Sequence, residues 1–194
     1  MNFVYLSPHF PPNYHRFCVG LREEGVNVLG LADAPYESLR PELRVALSEY
    51  YRVDDMNSYD ALVRALGHFT HRHGKLDGIV ALEVNLRPPG GLTTDMFNYA
   101  NDIDIYREWA RVVAHNRFTA PWSRPYHVGY IGRKRGKRYV HGPWEIDAAF
   151  GGLIVHHEEI DSIFRAAIGD QGYLVRSKDL DEVRAAARYI QETA

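Results

Sequence analysis

The chain has 194 residues, is 45% hydrophobic and 25% charged, and carries a formal net charge of −2. These values describe an ordinary globular protein with enough apolar side chains to bury a core, and they exclude a general electrostatic attraction to nucleic acid or to an anionic membrane. A single cysteine, Cys18, excludes an internal disulfide framework and any CxxC motif, and no apolar run reaches the length of a membrane span, so a soluble cytoplasmic protein without a leader peptide is expected.

"FVYLSP" is a short apolar run rich in β-formers and is closed by Ser7, Pro8, Pro11 and Pro12, which predicts a buried strand opening into a loop. Asn13 is placed to cap a helix over Tyr14 to Glu24, in which Phe17, Cys18 and Leu21 recur at helical spacing and Gly25 marks the stop. "VNVLGLAD" predicts the second strand, and a strand, helix, strand order favours parallel pairing. "SLRPELRVALSEYYRV" predicts a short helix running into an extended segment. "SYDALVRALGHFTHRHG" predicts an amphipathic helix capped by Asn57 or Ser58 and stopped by Gly74, and "LDGIVALEVN" predicts the next strand. Residues 1–80 thus read as a Rossmann-like α/β layer, in which ligands sit beyond the carboxyl ends of the strands.

Residues 81–194 form the second part. A long helix is predicted from about Thr94 to His115, with Met96, Tyr99, Ile103, Tyr106 and Ala110 as its buried stripe. "YHVGYIGRKRGKRYVHG" predicts a hairpin turning at Gly136, and "EEIDSIFRAAIG" a short helix. "GYLVRS" predicts a strand, and "DLDEVRAAARYIQET" a closing helix capped by Ser177 or Asp179.

The stretch "VALEVNLRPPGGLTTD", residues 80–95, concentrates polar chemistry at such a strand end. A strand repeats every second residue, so Glu83, Asn85 and Arg87 share one face while Val84 and Leu86 point into a core. The carboxylate of Glu83 and the amide oxygen of Asn85 suit a hard cation such as Mg²⁺, and the planar fork of Arg87 suits a phosphate or carboxylate. Gly90 and Gly91 let the backbone approach a ligand, and a helix opening near Thr93 aims free N–H groups at an anion. The stretch is a candidate metal and phosphate corner; the competing reading is a strand ending in a tight turn with its polar side chains in water.

"LEVNLRPPGGLTTDMFNYANDIDIYREWA" resembles the C-terminal segment of the ATP-grasp superfamily, specifically proteins related to carboxylate–amine ligases and carbamoyl-phosphate synthetase. The residues before it, from "FVYLSPHFPPNYHRF" through "HRHGKLDGI", resemble the pre-ATP-grasp domain of that family. The resemblance implies a Rossmann-like pre-ATP-grasp layer joined to the C-terminal α+β segment of an ATP-grasp domain. It implies that Glu83 and Asn85 hold Mg²⁺ bridging the phosphates of ATP and that Arg87 contacts phosphate or an acyl phosphate. The implied ancestral activity is ATP- and Mg²⁺-dependent activation of a carboxylate as acyl phosphate, followed by attack of an amine. Between the two resembling pieces the family carries a nucleotide cleft with phosphate-binding lysines, whereas here Gly78 runs almost directly into Glu83 and the chain has four lysines, Lys75, Lys134, Lys137 and Lys178. Ligation is therefore expected to need a cleft supplied by a second chain. The alternative is a non-catalytic module that binds a small carboxylate, phosphate or partner protein, and apolar surface left by the missing region would favour self-association.

Other groups have local explanations. His71 and His73 are expected exposed at a helix end, offsetting its dipole. His156, His157, Glu158 and Glu159 lack the H-E-x-x-H spacing and read as surface. "RKRGKR" reads as a solvated hairpin tip, with an anion-binding lobe as the lesser alternative. Asp102 and Asp104 lie about 200° apart on a helix and cannot act as a pair. Ser7 to Asn13 and Asp33 border the expected crevice, where Asp33 fits a ligand contact or loop capping equally well.

Overall fold

Successive side chains of Phe3, Val4 and Tyr5 enter two different apolar cores, so the strand that they form is buried on both faces. The computed structural model describes residues 1–80, 92–121 and 123–194 of a mixed α/β protein. The chain divides into two compact units, Met1–Gly90 with Asp104–Ala120, and Gly91–Ile103 with Pro121–Ala194.

In the first unit β1 (Asn2–Leu6) is followed by α1 (His15–Glu23), β2 (Asn27–Ala32), α2 (Pro41–Ala46), β3 (Glu49–Arg52), α3 (Tyr59–His73) and β4 (Gly78–Val80). The strands form a parallel sheet in the order β3-β2-β1-β4, with Phe3 opposite Val28 on one side and Gly78 on the other. Phe3, Tyr5 and Val28 pack with Phe17, Leu21 and Leu43 on one face; Val4, Leu29 and Leu31 pack with Ala65 and Phe69 on the other. This two-sided burial explains why β1 and β2 read as continuous apolar runs rather than alternating ones.

The expected helix over residues 94–115 is two helices, α4 (Thr93–Asn101) and α5 (Ile105–His115). Asp102 takes a left-handed conformation (φ 57°, ψ 46°) that ends α4, and the Asp104 carboxylate accepts from the Arg107 amide at 3.1 Å to start α5. Short carboxylates compete with helix continuation and favour caps, which outweighs the apolar stripe. α5 belongs to the first unit. Its Tyr106 and Ala110 join the Phe17 core, and the Glu24 carboxylate holds it to α1 through Arg107 (3.2 Å) and Arg111 (3.1 Å). The buried Glu108 carboxylate accepts from Arg111 at 2.5 Å and from the Thr119 amide at 2.6 Å, which fixes the segment after the helix.

The second unit contains α4, β5 (His127–Arg133), α6 (Pro143–Phe150), β6 (Ile154–Glu159), α7 (Arg165–Ile168), β7 (Gln171–Ser177) and α8 (Leu180–Gln191). Its three strands form an antiparallel sheet in the order β5-β7-β6. Ile146 of α6 and Ala186 and Ile190 of α8 pack on Ile131 and Val175, and Met96 and Tyr99 of α4 pack with Leu174. The expected hairpin is absent from these described residues. β5 pairs along its length with β7, and Tyr139 lies against the Arg133 guanidinium at 3.9 Å and bridges to Thr193 instead of returning along β5. The helix expected over residues 158–169 is confined to Arg165–Ile168, because His156 to Glu159 are extended in β6. α6 was unforeseen, although Pro143 at its first position and Glu145, which accepts from the Gly142 amide at 2.7 Å, are helix-start signals. Asp179 caps α8 as expected, accepting from the Asp181 amide. No helix among the described residues is long and apolar enough to cross a membrane.

At the amino ends of the parallel strands the polar groups close on one another. Glu49 accepts from His68 and from His73, each at 2.6 Å, so His73 is engaged rather than exposed for the helix dipole. Asn27 Nδ2 donates to Asn2 Oδ1 at 2.9 Å and to His73 Nδ1 at 3.2 Å, which makes Nε2 the protonated nitrogen that faces Glu49. Burial raises the Glu49 carboxyl, but the two imidazole donors and the Arg72 charge prevail and hold it below the ordinary carboxylate value. A depressed carboxyl adds stability above its unfolded pKa and loses it as pH falls through its folded value. Replacing Glu49 with Ala should cost about 1–2 kcal/mol in denaturant unfolding at pH 7, and the difference from wild type should shrink on acidification below the ordinary carboxylate range.

Candidate functional site

At the carboxyl ends of the parallel strands the chain enters the loops that follow β1, β2 and β3. β2 and β4 lie on opposite sides of β1, and the helices α1 and α3 that lead into them cover opposite faces of the sheet. Such a switch point is where parallel α/β sheets accept ligands. The loop after β1 begins at Ser7, whose φ of 48° is left-handed and whose amide donates to Leu31 O at 2.9 Å. A non-glycine residue held there costs about 1 kcal/mol, and such strain concentrates at binding sites.

His9 follows. Its Nδ1 is buried and has no hydrogen-bond partner among the described residues. Burial pushes the ring below the ordinary histidine range, opposed by the charge of exposed Asp33 after β2, so His9 is neutral at pH 7. Asp33 itself is tied by its backbone, its carbonyl accepting from Arg52 Nε at 3.0 Å.

Beneath the loop His15, at the first position of α1, is 8% exposed. Its Nδ1 lies 2.7 Å from Pro12 O and donates to it. The Arg40 guanidinium approaches at 3.0 Å from Nδ1 and 3.2 Å from Nε2, near enough to equal that it lies against the ring rather than along one lone pair. Arg40 also donates to Pro12 O at 3.3 Å. Burial first, then the charges of Arg40 and Arg16, hold His15 below the ordinary histidine range. The result is a loop pinned at Pro12, with the exposed Arg40 cation and the neutral His9 and His15 rings beside the strand ends. This set can accept a small anion through Arg40.

The expected corner at residues 83–93 is mostly not in view. Glu83, Asn85, Arg87, Gly90 and Gly91 lie outside the described residues. Thr93 is the first residue of α4, in the second unit, and that helix has no side-chain cap bond. The bordering segment Ser7 to Asn13 and Asp33 are at the strand ends as expected. His15 and Arg40 were not anticipated: 25 positions separate them in the sequence, so no local spacing announced the pair. Among the described residues no group of three His, Cys, Asp or Glu side chains could hold a metal ion.

In comparisons with protein-family models, curated proteins and solved structures, nothing matches this chain.

Replacing His15 with Gln should lower stability at pH 8 by about 1 kcal/mol, because the Pro12 carbonyl loses a buried donor. Wild type should lose stability as pH drops below the ordinary value of 6.5, since the unfolded chain takes up a proton there that folded His15 refuses. The variant should lack that part of the decline, as measured by unfolding midpoints across the range.

Proposed function

We propose that the chain is a reduced ATP-grasp-type protein, in which a Rossmann-like layer precedes a C-terminal ATP-grasp segment, and that it binds a small carboxylate or phosphate at the carboxyl edge of its parallel sheet. What supports the reading is the parallel strand order, with β2 and β4 on either side of β1, and the exposed Arg40 guanidinium held on the Pro12 carbonyl of the loop after β1. Arg40 neutralises the anion, and the Pro12 carbonyl that it shares with His15 keeps it in place. A cytoplasmic setting suits the wholly buried thiol of Cys18.

The ligase chemistry is carried by the resemblance of residues 83–93. Magnesium and ATP, when bound, would supply activation of the carboxylate as acyl phosphate, with Glu83 and Asn85 as metal ligands and Arg87 on the phosphate. No described group fits a metal ion, so the residues in view act on the anion alone. A second reading, a non-catalytic anion-binding module, is favoured by the placement of Lys75. It is the one lysine in residues 1–120, and its carbonyl accepts from Asn2 at the opposite, amino edge of the sheet.

Calorimetric titration separates the readings. Magnesium-dependent ATP binding that Glu83→Ala with Asn85→Ala abolishes is the expected outcome for the ligase-type reading. Binding of small carboxylates that Arg40→Ala weakens about tenfold, with no ATP binding, is the outcome for the module. If neither ligand binds, the carboxyl edge is not an anion site.

A further inference from the structure

The "RKRGKR" run is not spent on the carboxyl-edge site, and its structure differs from a solvated hairpin tip. Lys137 N donates to Lys134 O at 3.0 Å, closing a four-residue turn that brings the two lysines to the same side. They line a cavity of about 390 Å³ in the second unit, together with Tyr139, Gln191 and the turn at residues 167–169. The wall is built to close tolerance. A Cβ at Gly132 would stand 2.1 Å from the Ile168 carbonyl oxygen, and Gly169 holds φ at 103°, which side chains rarely adopt.

The charge in this cavity is one-sided. Among the described residues no carboxylate lines it, and those nearby are committed elsewhere. Asp170 accepts from the Arg135 amide at 2.9 Å, Glu159 from the Arg135 guanidinium at 2.6 Å, and Glu192 pairs with His141 at 2.9 Å. The Lys134 ammonium has a single long contact, 3.4 Å to Ala166 O, and the Lys137 ammonium has no hydrogen bond or ion pair among the described residues. Tyr139 Oη accepts from the Lys134 amide at 2.9 Å, which leaves its own proton to donate into the cavity. Arg133, 8% exposed, fixes the Tyr139 ring from behind, stacking on it at 3.9 Å while donating to His141 O at 2.9 Å. Two uncompensated ammonium groups and a hydroxyl donor on a rigid concave wall match a doubly charged oxyanion.

We propose that this cavity binds a phosphate group, free or carried as the monoester of a small molecule. Lys134 and Lys137 supply the charge, and the Tyr139 hydroxyl donates to a phosphate oxygen. The site is independent of the carboxyl-edge reading, and magnesium has no part in it.

The test is an amide NMR titration of the full chain with inorganic phosphate and, separately, phenyl phosphate. Saturable shifts at Gly132–Tyr139 and Ala167–Gly169 are expected, distinct from any at the carboxyl-edge loop and Arg40, weakened about tenfold in Lys134→Gln with Lys137→Gln and retained in the Lys→Arg pair. Tighter binding of phenyl phosphate would identify the ester as the natural form, and equal binding would identify free phosphate. Both lysines are exposed, so the Gln pair should keep the wild-type spectrum elsewhere. Lys178→Gln should leave the titration unchanged. Shifts that do not saturate, that spread over all basic residues, or that persist in the Gln pair would overturn the proposal.

Discussion

β1 is hydrogen-bonded on both edges and buried on both faces, and the first unit follows from that constraint. Because both neighbours run parallel to it, each connection must cross the sheet, and helices cover both surfaces as a result. All the carboxyl ends then lie along one edge and all the amino ends along the other. Phe3 and Tyr5 on one face and Val4 on the other leave β1 no polar side to show to solvent, so polar groups of this unit collect at the two edges.

The two edges are finished differently. At the amino ends Asn2, Asn27, Glu49, His68 and His73 satisfy one another in a connected set, which buries donors and acceptors without leaving a vacancy for another molecule. At the carboxyl ends His9 keeps an unpaired ring nitrogen and Arg40 presents its charge beside a neutral imidazole. A polar network that is complete rigidifies; one that lacks a member invites it. The second unit repeats the contrast on a smaller scale, since Arg135 has its carboxylate in Glu159 while the two lysines of the same turn have none.

How much of this was legible in the sequence depended on the origin of each signal. The parallel unit was read almost strand by strand, because Val4, Val28, Leu29 and Leu31 are apolar for the local reason that both faces are covered, and Ser58, Gly25 and Gly74 mark helix ends by their own chemistry. The antiparallel unit was read less well. Ile154 to Glu159 alternate too weakly to announce an edge strand, and the partner of β5 is β7, some forty positions on, rather than the segment beyond the nearest turn. The break at Asp102 to Asp104 was visible as two capping residues but was outvoted by an apolar stripe whose members serve different cores: Tyr99 packs with Leu174, and Tyr106 with Phe17. Arg40 with His15 and Glu49 with His68 were illegible for a common reason, namely that long-range pairs leave no spacing to read.

The return of α5 to the first unit bears on synthesis. Tyr106, Ala110 and Ala114 complete the apolar layer over Phe17 and Leu21, yet they are encoded after α4, a helix of the other unit. On the ribosome the parallel sheet therefore waits with that layer incomplete until the segment ending at Ala120 has emerged. By then α4 is already outside the exit tunnel without the antiparallel strands that will cover it. Each unit is held unfinished by the other's place in the gene, and the chain passes through a stage in which two partial cores are exposed together, the condition under which nascent proteins rely on chaperones.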